Sequence, residues 1–334
     1  MANEDPVTMT MVARHAGVSI ATVSRVLHGT TPCSPETTAK VLHAVRELEY
    51  VPLRLHVAPS LRSEAHGLVL PSIHGPYFSE LLVGLESAVR DFGQTVRLIS
   101  TEEFERPTER VLELSGHVDG MVIAQATVGD STVRKLASRI PVSLIAREPL
   151  PRCDEITVEN TQSTRELTRH LIEHGRTRLV FVGDPAQARD VLQRFCGFRQ
   201  ALADAGLTEA SGPILVPFVQ SAARTVADAV AQLPDVDGLV CANDELALGT
   251  WHVLRGRGIS VPGDLALTGW DDVMAAAHTQ PGLTTVRQPA REVGRLAALR
   301  LHERVSGYRP GPRRVVVPSE VVIRGTCGCV EPGP

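Results

Sequence analysis

The sequence is short of several things, and each shortage narrows its function. No N-terminal stretch has the pattern of a secretory leader. No segment reaches the roughly 20 consecutive apolar residues that a membrane helix needs. The expectation is a cytosolic chain with no membrane partner. The G-x-x-x-x-G-K-[ST] phosphate loop and the G-x-S-x-G nucleophile elbow are both missing, which argues against an enzyme on an α/β scaffold. Lysine is nearly absent: of 34 basic residues, Lys40 and Lys135 alone are lysines, which reads as the mark of a GC-rich genome. The six cysteines (Cys33, Cys153, Cys196, Cys241, Cys327 and Cys329) are scattered, and reduced thiols are the default in the cytosol. Cys327-Gly328-Cys329 could supply two thiolates to a zinc ion, but no second Cys or His pair lies near it in sequence. No metal and no cofactor are therefore expected.

What is present looks like a soluble globular protein of two or three domains. Its 334 residues are 43% hydrophobic and 22% charged. The net charge of −4 does not advertise a nucleic-acid binder. Its distribution is more telling. Between Thr8 and Arg62, six basic residues (Arg14, Arg25, Lys40, Arg46, Arg54 and Arg62) face three acids (Glu36, Glu47 and Glu49). The excess acid lies in the rest of the chain. A basic end on an acidic body suits DNA, though weakly.

That basic end holds the most distinctive stretch, Thr8 to Leu27. Val12, Ala13 and Ala16 make one apolar stripe at helical spacing. Gly17 breaks the helix, and Ser19 is a natural N-cap for a second one. In the second helix Val23, Val26 and Leu27 face inward, leaving Ile20, Ala21, Ser24 and Arg25 outward. The pair reads as a helix-turn-helix, whose second helix enters the major groove. A third helix starts at Ser34-Pro35-Glu36 with a cap, a proline and an acid. Val41, Leu42, Val45 and Leu48 then repeat at helical spacing, closing a small domain near Pro52.

The residues "GVSIATVSRVLHG" and "SPETTAKVLHAVRELEYVP" resemble the DNA-binding headpiece of the lactose-repressor (LacI/GalR) family. By that resemblance Ile20, Ala21 and Arg25 read bases. Thr8, Thr22 and Ser24 touch phosphate or brace the helix, and Ser19 and His28 complete the DNA-facing set. Arginine can grip a guanine edge in a bidentate way, and hydroxyls suit phosphate oxygens. The family usually follows with a hinge helix ending in Ala-x-Ser-Leu. Here Val57-Ala58-Pro59-Ser60-Leu61 is similar, with Leu61 as a candidate minor-groove wedge. Pro59 would interrupt such a helix, so an irregular linker is an equal reading.

From Gly67 onward short apolar runs alternate with amphipathic stretches. Candidate strands are Gly67–Leu70, Val96–Ile99, Val118–Ala124, Val142–Ile145, Leu179–Gly183, Ile214–Val216, Val236–Ala242 and Leu265–Thr268. Helical patterns include Phe78–Phe92, Thr161–Glu173, Arg194–Ala205 and Glu245–Arg255. This predicts parallel, doubly wound sheets. Val118-Asp119-Gly120 recurs as Val236-Asp237-Gly238, suggesting two similar lobes with a ligand cleft between them. Thr284–Pro289 crosses back to the first half and Val316–Glu320 returns. The expected division is headpiece 1–52, hinge linker 53–66, first lobe 67–160 with 288–318, and second lobe 161–287 with 319–334.

"CANDELALG", "GWDD" and "PGLTTVRQP" are similar to the same family and to the related periplasmic sugar-binding proteins. The resemblance implies an α/β chain: a three-helix headpiece and a two-lobed periplasmic-binding-protein-like body. Arg194 in "RFCGF" matches a ligand-binding arginine, and Asp271 in "GWDD" an acid facing the cleft. Asn243, Tyr77 or Phe78, Gln125 and Arg147 join them as effector-contacting candidates. Arg and Asp could equally form an ion pair. Ala146 and Glu159-Asn160 depart from the family's usual Asp and Asp-Asn, which leaves the ligand open. The implied function is a dimeric repressor that binds a pseudo-palindromic operator and answers to a sugar-like effector. A solute-binding protein would share the body but leave the headpiece idle.

Overall fold

A computed structural model describes residues 9–28, 33–48, 65–102, 104–233, 235–307 and 311–330. The chain forms two units, Met1–Leu61 and Arg62–Pro334. The first holds helices α1 (Met9–Ala16), α2 (Ile20–His28) and α3 (Pro35–Glu47). Val12, Ala13, Val23, Val41 and Ala44 are buried together, with Val26 and Val45 packed against them. Leu42 departs from the expected apolar face: it is 43% exposed, and Ala44 takes the interior instead. The third helix thus presents its small residue to its neighbours, which permits a close crossing.

The second unit has two lobes. The first lobe's sheet runs β10-β5-β4-β3-β1-β2, from β1 (Ala65–Leu70), β2 (Thr95–Ser100), β3 (Gly120–Ala124), β4 (Val142–Ile145), β5 (Asp154–Val158) and β10 (Arg314–Val317). All of its pairings are parallel. β1 starts inside the stretch read as linker, at Ala65. β5 and β10 were not anticipated as strands. The second lobe has a parallel sheet β6-β7-β8, from β6 (Leu179–Val182), β7 (Gly238–Cys241) and β8 (Ala266–Thr268). The run Ile214–Val216 contributes a single bridge, Ile214 to Val182, rather than a strand. A small antiparallel pair, β9 (Thr285–Arg287) with β11 (Glu320–Val322), stands beside the crossovers.

The internal echo has a packing cause. A Cβ at Gly120 would stand 2.8 Å from the Leu301 side chain, and one at Gly238 would stand 2.5 Å from Leu179. Each sheet thus needs a glycine where its central strand enters. Helix packing shows the same economy. α4 (Pro76–Asp91) and α12 (Ala290–Val305) approach so closely that a Cβ on Gly294 would lie 2.1 Å from the Leu81 carbonyl.

The chain passes between the lobes three times, at 159–160, 288–289 and 318–319. The first and third crossings are bonded to each other. Ser319 Oγ donates to the Glu159 carbonyl at 2.6 Å and lies 2.8 Å from Ser163 Oγ. Glu159 caps α7 (Thr161–Glu173) by accepting from the backbone of Gln162 and Ser163, at 2.6 and 2.9 Å. Its longer side chain does the capping that the expected Asp would have done.

Candidate DNA-reading helix and ligand cleft

In the headpiece the turn between α1 and α2 is built as its residues dictate. Gly17 has φ 65, which glycine adopts without penalty. Ser19 Oγ accepts from the Thr22 backbone at 3.1 Å and so caps α2. Ile20 (48% exposed), Ala21 and Arg25 lie on the outer face. Arg25 is held along its own helix, with Nε donating to the Ala21 carbonyl at 3.3 Å and Nη2 to Thr22 Oγ1 at 3.4 Å. Thr22 and Ser24 are half-buried, which fits bracing better than free reach. Thr8 and Leu61 lie outside the described residues, as does the side chain of His28.

Between the lobes of the body lies a cavity of about 800 Å³. Tyr77, Phe78, Gln125, Arg194, Asn243 and Asp271 all line it, joined by Asp190, Phe218, Glu245 and Gln288. The "GWDD" motif explains itself residue by residue. Gly269 must be glycine, because a Cβ there would lie 2.1 Å from Asp244 Oδ1. That oxygen accepts from Thr285 Oγ1 at 2.6 Å. Trp270 is buried and carries the Arg194 guanidinium 4.4 Å above its ring. Asp271 reaches the cavity from a strained backbone, φ 119. Asp272 bridges Arg287 at 2.7 Å and Arg324 at 2.6 Å.

Arg194 is the hub. Its Nε donates to Asn160 Oδ1 at 2.8 Å and its Nη1 to the Ala242 carbonyl at 2.7 Å. Asn160 belongs to the first crossover. Burial lowers the arginine's pKa, opposed by Asp271 and Asp190. Burial likewise pushes the Asp271 carboxyl up to about 8, against the pull of Arg194. Asp271 Oδ1 accepts from Gln288 Nε2, on the second crossover. The Tyr77 hydroxyl is also raised by burial. Asp190 Oδ1 and Gln288 Oε1 are buried at this cavity with no hydrogen-bond partner. Orphaned acceptors of this kind ask for donors from a bound molecule.

One expectation needs correction and another a qualification. Arg147 does not line the cavity. It is buried, donating to Asp130 Oδ1 at 2.6 Å and to the Gln125 carbonyl at 3.0 Å. It shapes the loop that holds Gln125 at φ 51. Asn243 borders the cavity, but its amide is already engaged: Oδ1 caps α10 (Asp244–Gly256) from Leu246 N at 3.0 Å, and Nδ2 donates to the Phe218 carbonyl at 2.9 Å. Asp190 and Gln288 were missed. Asp190 stands one turn before Arg194 on α8 (Arg189–Asp204), which is the signal that could have found it.

The lobes are also clasped outside the cavity. Arg189 on the second lobe donates to the Arg147 carbonyl at 2.9 Å and pairs with Glu148 at 3.1 Å and with buried Glu155. Away from the cleft, His170, His174 and Cys329 bring their ligand atoms within 4.8 Å of one another. The histidine pair absent from the neighbouring sequence is thus brought by the fold to Cys329.

A helix-turn-helix unit joined to a two-lobed body with a ligand-sized cleft defines a DNA-binding regulator with a periplasmic-binding-protein-like sensor. Residues 8–52 match the family of bacterial regulatory proteins of the lacI type, and residues 168–327 match a periplasmic binding protein-like domain. The transcriptional repressor PurR of Vibrio parahaemolyticus is 31% identical over 329 residues, covering 96% of this chain and 98% of that protein. The transcriptional regulator DegA of Bacillus subtilis is 29% identical over 323 residues, covering 94% and 96%. A solved complex of the transcriptional regulator CelR with cellobiose superposes with a TM-score of 0.73 at 28% identity, covering 96% of this chain and 99% of that one. The chain belongs to the LacI family of transcriptional regulators, and it is not an enzyme. No helix among the described residues is long and apolar enough to cross a membrane.

Proposed function

We propose that the protein is a cytoplasmic, homodimeric repressor whose affinity for a pseudo-palindromic operator is set by an uncharged sugar bound in the cleft. The observation that carries this is the cleft's chemistry. Asp190, Asp271, Glu102 and Glu245 line it against Arg194 and His74. Such a rim suits hydroxyl donors, which would satisfy the orphaned oxygens of Asp190 and Gln288. Tyr77 and Phe78 offer aromatic faces for the apolar side of a sugar ring. The volume of about 800 Å³ admits a disaccharide such as the cellobiose held by CelR.

Arg194 and Asp271 contact both ligand space and crossovers, so ligand can bias lobe closure. In the headpiece, Ile20, Ala21 and Arg25 read bases, Thr22 and Ser24 brace the reading helix, Thr8, Ser19 and His28 complete the DNA-facing set, and Leu61 is the candidate minor-groove wedge. Two headpieces on a two-fold axis require a two-fold operator. Selection from random duplex DNA with the purified protein tests this. A two-fold symmetric site is expected, and recovery of asymmetric or unrelated sequences would refute the dimeric reading.

A further inference from the structure

We propose that His170, His174 and Cys329 form a zinc site, with Cys327 beside it, that staples the C-terminal segment to α7. His170 and His174 stand one turn apart on one face of that helix, with ring centroids 4.5 Å apart. Cys329 Sγ lies 3.4 Å from His170 Nε2 and 3.2 Å from His174 Nε2. Cys327 Sγ lies 3.3 Å from His170 Nε2. Tetrahedral zinc, with bonds of about 2.3 Å to sulfur and about 2.0–2.1 Å to nitrogen, sets its S···N edges at about 3.5 Å. The observed spacings sit close to that edge.

His170 Nε2 faces both sulfurs, while Cys327 Sγ donates to the Arg324 carbonyl at 3.1 Å, which leaves Cys329 as the sulfur shared by the two imidazoles. Gly328 adopts φ 108, a left-handed turn that lets the sulfurs on either side of it face the same helix. Cys327 is fully buried in the second lobe's core beside Leu171 and Phe198, while Cys329 and His170 are half-buried and His174 opens to solvent. An ion could therefore enter from the His174 side. The site lies at the C-terminal end of α7, where the helix dipole favours a cation. A thiolate with two imidazoles favours zinc among abundant divalent ions, and three protein ligands leave its fourth position to water. Bound there, zinc would tie together residues 159 positions apart, at the far end of the helix whose start carries Asn160.

The test uses the full chain without a histidine tag, kept reduced, stripped of metal and then titrated with Co²⁺. The expected result is one Co²⁺ per chain, with visible bands of tetrahedral cobalt and thiolate charge transfer that Zn²⁺ abolishes. Zinc should also raise the melting temperature. His174→Ala and Cys329→Ser should weaken Co²⁺ binding by more than the roughly 10–100-fold that loss of a second-shell partner costs. Cys196→Ser, at an exposed cysteine elsewhere, should change nothing. Circular dichroism of the metal-free variants should match the metal-free parent. Absence of the cobalt bands in the parent, or their persistence in His174→Ala and Cys329→Ser, would overturn the site.

Discussion

Replacing Arg194 with methionine tests the cleft at its hub. The change removes two charge-assisted hydrogen bonds, to Asn160 Oδ1 and to the Ala242 carbonyl, and a cation–π contact with Trp270. Left unpaired and dry, each of those two acceptors would cost about 1–3 kcal/mol. Here the cavity can lend water to both, and removing a buried guanidinium recovers desolvation energy. The net loss of stability should therefore be about 2–4 kcal/mol, toward the low end for breaking a buried charge network. Asp190 and Asp271 lose their neutralising cation, so both carboxyls should rise further.

A double-mutant cycle separates these parts. Asp271→Asn alone removes a carboxyl that burial already penalises. Combined with Arg194→Met, it should relieve the unpaired acid, giving a coupling within the roughly 0.5–3 kcal/mol seen for contacting residues. Thermal and chemical denaturation measure the stability, and calorimetry with a panel of uncharged sugars measures binding. Strict additivity of the two changes, or undiminished sugar binding in Arg194→Met, would refute the hub.

Three further outcomes follow from other parts of the molecule. Arg25→Ala should weaken operator binding by about 1–3 kcal/mol, the worth of a bidentate base contact, and leave the fold intact, because its bonds run along its own helix; equal affinity in a binding titration would remove it from the reading set. Gly294→Ala forces a methyl to within 2.1 Å of the Leu81 carbonyl, so α4 and α12 must part, costing about 1–3 kcal/mol as overpacking does; an unchanged melting temperature would contradict that approach. Burial beside His302 lowers His66 from 6.5 to about 4; the unfolded chain binds this proton first, so stability contributed by neutral His66 is full at neutral pH and falls on the order of 3 kcal/mol as pH drops from 6.5 to 4. Asp271 acts in the opposite sense, being raised, so the pH slope should be compared between the parent and His66→Met; parallel slopes would show that His66 stays solvated.

Local signals in the sequence were the readable ones. The turn at Gly17, the cap at Ser19 and the inward valines are all set within a few residues, and the structure holds them as expected. The strands of the body were legible where apolar runs were continuous, while β5, with its charged Asp154 and Glu155, was hidden by side chains whose partners lie far away. Asp154 is matched by Arg304 and Glu155 by Arg189. Arg147 was misplaced for the same reason: its position after β4 pointed to the cleft, but Asp130 captures it. The His–Cys cluster shows the limit most sharply, since spacing along the chain cannot reveal ligands that only the packing of α7 against the C-terminal segment brings together.

The most direct measurement is operator affinity with and without a sugar that binds the cleft, repeated in Arg194→Met. The parent's affinity should shift by roughly 5–150-fold, the usual span of allosteric coupling, and the shift should vanish with Arg194. An operator affinity unmoved by a sugar shown to occupy the cleft would contradict the link between cleft and headpiece.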